Sequence, residues 1–184
     1  MRVLSKNDVI VHKLKIVSEI AAGAVFIYPT DTIYGIGCDA TSDKSVRRIR
    51  ELKQRDSKPF SIIAPSIDWI KDNCELNDKA KSWLLKLPGP YTLILPLRNT
   101  SAVCAQANMG VKTIGVRIPN HWIADLVSKL GRPLVTTSVN TAGAPPSTKL
   151  EQLQSFNVDF IIFDGELAGK SSTVIDTVSG KILR

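Results

Sequence analysis

Four polar segments of this sequence carry the residues that could do chemistry. In the first, residues 28–37, a short apolar run ends and is followed by the hydroxyls of Thr30 and Thr32, a carboxylate and a phenol. Polar side chains at the exit of a buried strand commonly contact ligands in α/β proteins. The alternative is a turn in which Asp31 and the two threonines satisfy nearby backbone groups. The segment alone does not decide between these interpretations.

The second segment is basic and follows a predicted helix that Ser42 could cap. Lys53, Arg55 and Lys58 place three cations within six residues, and helical spacing puts Lys53 on the face expected to be buried. Such a cluster could bind a triphosphate. Alternatively, the lysine extends its charged end to solvent, and its positive charge stabilises the C-terminus of the helix. The sequence has no Gly-x4-Gly-Lys-Ser/Thr motif, so this is not a glycine-rich phosphate loop.

The third segment is a predicted strand over residues 113–118. Alternation places Thr113, Gly115 and Arg117 on one face of this strand, and the glycine leaves space beside the arginine. A guanidinium there suits a carboxylate or a phosphate, held by two parallel hydrogen bonds. An ion pair with a neighbouring acid is the alternative. We favour the ligand because the glycine opens space beside the charge.

The fourth segment begins on the next predicted strand. Thr136 and Ser138 share a face of that strand, and Asn140 opens a loop of small residues that runs to Pro146. A row of hydroxyls together with exposed backbone amides can hold phosphate or carboxylate oxygens. Ser138 lacks a Gly-x-Ser-x-Gly elbow and an assignable histidine partner, which argues against a hydrolase triad.

The elements that must position these segments alternate between helix and strand. Apolar spacing predicts helices over residues 10–21, 42–52, 69–70, 80–87, 122–130 and 149–156. It predicts buried strands over residues 24–28, 60–64, 91–95, 113–118, 134–139, 158–163 and 173–176. Residues 98–112 have no clear period and are predicted to be loop. The predicted fold class is therefore α/β, a single domain over 1–184 with a twisted mixed sheet flanked by helices.

Composition limits the class of protein further. With 43% hydrophobic and 22% charged residues, the 184-residue chain is expected to fold, and no apolar run approaches the ~20 residues of a membrane helix. The net charge of +7 favours polyanionic partners such as nucleotides or nucleic acid, although a merely soluble basic surface has the same charge. Three cysteines without Cys-x-x-Cys spacing and two distant histidines argue for reduced thiols, a cytoplasmic location and no resident metal.

Six motifs, in register over nearly the whole chain, resemble the YrdC-type threonylcarbamoyl-adenylate synthases. They occupy residues 29–35, 53–55, 88–92, 116–119, 137–140 and 172–176. The resemblance implies a YrdC-like sheet with a basic concave face. It also implies a nucleotidyltransferase that makes L-threonylcarbamoyl-AMP and pyrophosphate from L-threonine, bicarbonate or CO2, and ATP. A downstream transferase machinery would then use this adenylate for N6-threonylcarbamoylation of adenosine 37 in tRNA.

The resemblance also assigns residues to the two substrates. Threonine would be bound by Thr30, Thr32, Arg117 and the backbone near Thr136. ATP would be bound by Lys53, Arg55, Lys58, Thr113, Ser138, Asn140, Pro146 and Arg184. Lys53 and Arg55 would also neutralise charge during the reaction, and Mg²⁺ would arrive with ATP rather than occupy a protein site. Some members carry a second C-terminal domain, which this chain is expected to lack.

Two other functions stay open from the sequence. A non-catalytic RNA-binding module could use the same basic concavity, although no RNA-recognition motif supports it. A paralogue of the same fold could act on another carbamoyl acceptor. For the enzyme, the charge predicts weak binding of tRNA through phosphate contacts, without sequence preference. The lack of a long apolar run predicts no association with a membrane.

Overall fold

The strands in the described part of the chain form one mixed sheet. A computed structural model describes residues 1–54, 57–141 and 144–184. The strands are β1 Arg2–Leu4, β2 Phe26–Tyr28, β3 Gly35–Gly37, β4 Ser61–Ile63, β5 Tyr91–Pro96, β6 Thr113–Arg117, β7 Leu134–Ser138, β8 Phe160–Ile162 and β9 Thr173–Asp176. Their order across the sheet is β1-β8-β2-β3-β7-β4-β6-β5-β9, with parallel and antiparallel pairs. The predicted α/β class with a mixed sheet is confirmed.

Helices flank this sheet. They are α1 Lys6–Val11, α2 Lys13–Ala21, α3 Asp43–Lys53, α4 Ile67–Asn73, α5 Asp78–Leu84, α6 Ala105–Asn108, α7 Ile123–Leu130 and α8 Leu150–Gln154. The Ser42 hydroxyl accepts a hydrogen bond from the Ser45 amide at 3.3 Å, which confirms the predicted cap of α3. None of the helices in the described ranges is long and apolar enough to cross a lipid bilayer.

Two predicted segments differ from the structure. The helix predicted over 10–21 is two helices, α1 and α2, which meet at His12. Ser5 and Asp8 form the capping box that begins α1, with the Ser5 amide 2.8 Å from an Asp8 carboxylate oxygen. The predicted loop over 98–112 contains α6 and a 3-10 turn at Thr100–Ala102. Elements of three or four residues are too short to show a periodic apolar pattern.

Alternation along the strands builds a core on each face of the sheet. Phe26 and Tyr28 pack on one face with the buried residues of α1, α2 and α7, whereas Ile27 packs on the other face with those of α3, α4 and α5. Successive side chains of a strand point to opposite faces, so β2 contributes to both cores. Helices on both faces therefore keep the central strands fixed.

The register of the central strands brings three of the four polar segments together. Ser61 of β4 lies opposite Gly115 of β6 on one side and opposite Thr136 of β7 on the other, while Gly35 of β3 lies opposite Ser138 of β7. A Cβ at Gly115 would lie only 2.6 Å from the Ser61 hydroxyl oxygen. Glycine at 115 therefore leaves room for the hydroxyl of the neighbouring strand, beside Arg117.

Candidate functional site

A polar cavity of about 290 Å³ lies at this row of strand residues. Nine of the described residues that line it are serines or threonines, two are arginines, and no carboxylate is among them. The lining residues are Thr30, Thr32, Ile33, Tyr34, Gly35, Pro59, Phe60, Ser61, Thr92, Arg117, Thr136, Thr137, Ser138, Ser171, Ser172, Val174, Leu183 and Arg184. Hydroxyl and guanidinium donors without carboxylates favour an anionic ligand rich in oxygen.

The turn after β2 is ordered by its own threonines. The Thr30 hydroxyl donates to the Ile33 carbonyl at 2.7 Å and accepts from the Thr32 amide at 3.1 Å. Because the Thr30 proton is used in this way, the Thr32 hydroxyl is the donor in the 2.9 Å contact between the two side chains. Thr30 thus shapes the turn. Thr32 faces Arg117, and the Nη1 of Arg117 lies 3.2 Å from the Thr32 hydroxyl oxygen.

Arg117 is buried at the end of β6 and is paired with Asp31. Its Nη2 donates to one carboxylate oxygen of Asp31, and the other oxygen accepts from the Asn120 amide at 2.9 Å. The Nε of Arg117 is also buried, and it has no hydrogen-bond partner among the residues that the structure describes. A buried donor left without a partner costs free energy, so a ligand acceptor would be favoured there.

The electrostatics of Arg117 follow from its surroundings. Burial lowers the pKa of its guanidinium, the charge of Asp31 opposes this shift, and the nearby Arg184 lowers the pKa further. An arginine nevertheless stays protonated at neutral pH. Two guanidinium groups line one cavity and the carboxylate of Asp31 is paired with Arg117, which leaves a positive site for an anion.

The basic segment meets the 138–140 turn through Lys53. This side chain is 4% exposed, as the helical spacing predicted. Its Nζ lies 2.5 Å from the Ser138 carbonyl, 2.9 Å from the Asn140 carbonyl and 2.9 Å from the Asn140 side-chain oxygen. Lys53 and two further residues predicted for ATP are therefore brought together, at the end of β7.

One wall of the cavity is formed by the chain after β8. The Tyr34 hydroxyl donates to the Gly165 carbonyl at 2.6 Å and accepts from the Asp164 amide at 3.0 Å. Further along, a Cβ at Gly169 would lie 1.7 Å from the Thr32 carbonyl oxygen. This segment therefore packs directly on the turn that carries Thr32.

The C-terminal residues reach the same cavity. Leu183 and Arg184 line it, and the Nε of Arg184 donates to the Ser172 carbonyl at 3.2 Å. The Leu183 amide bonds to Val174 of β9 at 2.8 Å, which holds this segment beside the sheet. The assignment of Arg184 to the ligand site therefore has a geometric basis.

Some of the predicted site residues line the cavity and others do not. Among the described residues, those that line the cavity are Thr30, Thr32, Arg117, Thr136, Ser138 and Arg184. Those that do not line it are Lys53, Lys58, Thr113, Asn140 and Pro146. Arg55, predicted to contact ATP, lies outside the described residues. Ser61, Thr92, Ser171 and Ser172 line the cavity but were not assigned to a substrate, although Thr92 and Ser172 lie in two of the six motifs. The sheet register places Ser61, and the local sequence around this residue gives no signal.

A resident metal site was not predicted, and Mg²⁺ was expected with the nucleotide. Within residues 1–54, 57–141 and 144–184, no group of three His, Cys, Asp or Glu side chains could hold a metal ion. The source of Mg²⁺ stays a prediction.

Comparison with known proteins relates this chain to one family. Residues 18–184 match the Sua5/YciO/YrdC family, whose description is "Telomere recombination". A threonylcarbamoyl-AMP synthase of Pseudoalteromonas atlantica is 34% identical, covering 82% of this chain and 83% of the relative. One of Buchnera aphidicola is 32% identical, covering 98% of this chain and 99% of the relative.

Solved structures show the same fold. P. abyssi Sua5 complexed with L-threonine superposes with a TM-score of 0.83 at 30% identity, covering 95% of this chain and 53% of that one. E. coli YciO gives a TM-score of 0.81 at 28% identity, covering 95% of this chain and 88% of the other. The chain thus spans about half the length of the Sua5 protein it matches.

Proposed function

Because the chain belongs to the Sua5/YciO/YrdC family, we propose that it is a threonylcarbamoyl-AMP synthase. It forms L-threonylcarbamoyl-AMP and pyrophosphate from L-threonine, bicarbonate or CO2, and ATP. The relatives that cover most of this chain carry that name, and the Sua5 structure holds L-threonine. The observation in this chain that carries the proposal is the buried Nε of Arg117, without a described partner, at a cavity of hydroxyls.

Threonine is assigned to the end of the cavity near Arg117. The Nε of this arginine offers a donor to the carboxylate, and charge-assisted hydrogen bonds of this kind are among the strong ones. Asp31 holds the guanidinium from its other edge, and Thr32 lies within hydrogen-bond distance of Nη1. The backbone near Thr136 completes this end of the site.

ATP is assigned to the region between the 138–140 turn and Arg184. Ser138 and Arg184 line the cavity, and Asn140 lies directly beside Ser138, whose hydroxyl donates to its side-chain oxygen at 2.6 Å. Lys58, Thr113 and Pro146 remain proposed contacts for the parts of the nucleotide beyond the cavity. Arg55 remains a proposed contact of ATP.

The reaction proposed for this site needs alignment and charge neutralisation. The threonine amine bonds to the carbon of CO2 and loses a proton to water, which gives a carbamate. A carbamate oxygen then bonds to the α-phosphorus of ATP as the bond from that phosphorus to pyrophosphate breaks. Both reactants are anionic, so cationic and hydroxyl donors held in place can supply the catalysis without a side-chain base.

The cellular setting belongs to the same proposal. The adenylate is a mixed anhydride that a separate transferase machinery would consume on tRNA, in a cytoplasmic compartment consistent with three free cysteines. Binding of tRNA to this protein is proposed to be weak, through phosphate contacts that decline as salt rises.

The test is threonine-dependent release of pyrophosphate from ATP in the presence of bicarbonate. We expect release with threonine and none when threonine or bicarbonate is omitted. Enzyme treated with nuclease serves as the control for tRNA, and its rate should be unchanged. Binding of RNA without any release of pyrophosphate would instead favour the RNA-binding module, and release that requires tRNA would contradict the proposed reaction.

A further inference from the structure

The ammonium of Lys53 is surrounded by oxygens of the 138–140 turn. The carbonyls of Ser138 and Asn140 lie 2.5 and 2.9 Å from Nζ, and the side-chain oxygen of Asn140 lies at 2.9 Å. An ammonium has three N–H donors and no acceptor, so these three oxygens match its donor capacity. The side chain is 4% exposed, which makes such partners necessary for a buried charge.

The same turn is closed by hydrogen bonds of its own. The Asn140 side-chain oxygen also accepts from the Ser138 hydroxyl at 2.6 Å, and its amide nitrogen donates to the Ala144 carbonyl at 2.7 Å. The orientation of the Asn140 amide and the rotamer of Ser138 are therefore both tied to the Lys53 charge. Three oxygens that converge on one point repel one another, and the cation is what allows them to be close.

We propose that Lys53 is a positioning residue that acts on ATP through Asn140 and Ser138. The inference rests on the proposed function and revises the role predicted from the sequence, a direct contact with the triphosphate. To reach a phosphate, Nζ would have to leave three hydrogen bonds in a buried place. Held where it is, Lys53 fixes the two side chains at the edge of the cavity before the nucleotide arrives.

A double-mutant cycle tests this role. We would measure ATP affinity by calorimetry for Lys53→Met, for Asn140→Ala and for the double variant. A side chain that acts through another gives non-additive losses, whereas independent contacts give additive ones. We expect each single variant to lose about 10- to 150-fold in ATP affinity, and the double variant to stay within about threefold of the weaker single one.

Controls separate positioning from a general loss of structure. Lys129→Met removes an exposed lysine from the last turn of α7, just as Lys53 lies in the last turn of α3, and should leave ATP affinity unchanged. Threonine affinity of Lys53→Met should stay within about threefold of the parent, because the Arg117 end is built separately. A loss of threonine binding in this variant would mean that the lysine merely holds the fold, and would overturn the inference.

The remaining outcomes are equally decisive. If the fold-losses of ATP affinity in the two single variants multiplied in the double variant, Lys53 would contact the nucleotide itself. That result would overturn the positioning role, while ATP binding by the parent protein would stand. If the unsubstituted protein bound no ATP, the proposed function would fail, and this inference with it.

Discussion

Arg117 is paired with Asp31 on one edge of its guanidinium and has a buried Nε without a partner among the described residues. The pair fixes the arginine at the end of β6, and Thr32 contacts its remaining nitrogen. The ion pair that the sequence left open as the alternative is therefore present, and it orients the donor that the proposed ligand would use.

Replacement of Arg117 tests the threonine end of the site. We expect Arg117→Ala to weaken threonine binding about 10- to 150-fold, because loss of a charge-assisted pair costs ~1.5–3 kcal/mol. Calorimetry measures this directly. Arg132→Ala is the matched control, since it breaks a pair with the buried Asp39 but does not alter a described lining residue. Equal threonine affinity in the parent and Arg117→Ala would remove Arg117 from the site.

A methyl group at position 169 should disturb the same end of the cavity. In Gly169→Ala the new Cβ would lie 1.7 Å from the Thr32 carbonyl if nothing moved, so the turn or the segment after β8 must shift. Overpacking of this kind costs ~1–3 kcal/mol, and we expect threonine affinity to fall by about 5- to 150-fold.

The neighbouring exposed residue provides the control for this variant. Ala168→Ser adds one atom to a side chain that faces solvent and should bind threonine like the parent. If Gly169→Ala also binds threonine normally, the close packing between residue 169 and the Thr32 turn does not govern the site.

Arg50 supports the wall formed by Pro59 and Phe60. Its guanidinium donates to the Gln106 carbonyl at 2.6 and 2.9 Å and to the Lys58 carbonyl at 3.1 Å, and it lies 4.5 Å from the centre of the Phe60 ring. We expect Arg50→Ala to lower the free energy of unfolding by about 2–3 kcal/mol, because partly buried carbonyls lose the donors of a buried guanidinium.

Thermal unfolding measures this effect as a decrease of roughly 4–12 °C in Tm. Arg47→Ala is the control on the same helix, because Arg47 is exposed and pairs with Asp43 at the surface. Surface pairs contribute ~0–1 kcal/mol, so this variant should unfold near the parent temperature. A Tm as high for Arg50→Ala as for Arg47→Ala would show that the wall does not depend on Arg50.

The thiols should differ in reactivity. Burial raises the pKa of Cys74 to about 11 and raises the pKa values of Cys38 and Cys104, while Cys104 is the least buried of the three. The thiolate is the reactive form, so folded protein at mildly alkaline pH should be alkylated slowly, and at Cys104 first. Peptide mass mapping, with denatured protein as the control, measures this. Rapid labelling of Cys38 or Cys74 in folded protein would contradict the buried positions.

The periodic spacing of apolar residues in the sequence was sufficient to predict which face of a helix or strand a residue occupies. Helical spacing placed Lys53 on the buried face, and alternation placed Arg117 on the face of Thr113 and Gly115. It was insufficient for β3, whose three residues Gly35–Gly37 include two glycines and no pattern. The pairing of Ser61 with Gly115 is a matter of register between strands that are distant in sequence, which local patterns do not encode.

The sequence predicted several residues of the site, but it did not predict the hydrogen bonds between them. The motifs brought Lys53, Ser138 and Asn140 into one site, but not the arrangement in which the lysine holds the turn. The sequence identified Tyr34 only as a phenol at the end of a strand. Its hydrogen bonds to Asp164 and Gly165 could not be predicted, because these partners lie more than a hundred residues away along the chain.

The most direct test of the account is mass spectrometry of the product made with isotopically labelled bicarbonate. The protein, freed of RNA by nuclease, would be incubated with L-threonine, Mg-ATP and the labelled bicarbonate. The account predicts an adenylate with the mass of threonylcarbamoyl-AMP that carries the single labelled carbon and disappears when threonine is left out. An adenylate without the label, or no adenylate from folded protein that binds both ATP and threonine, would contradict it.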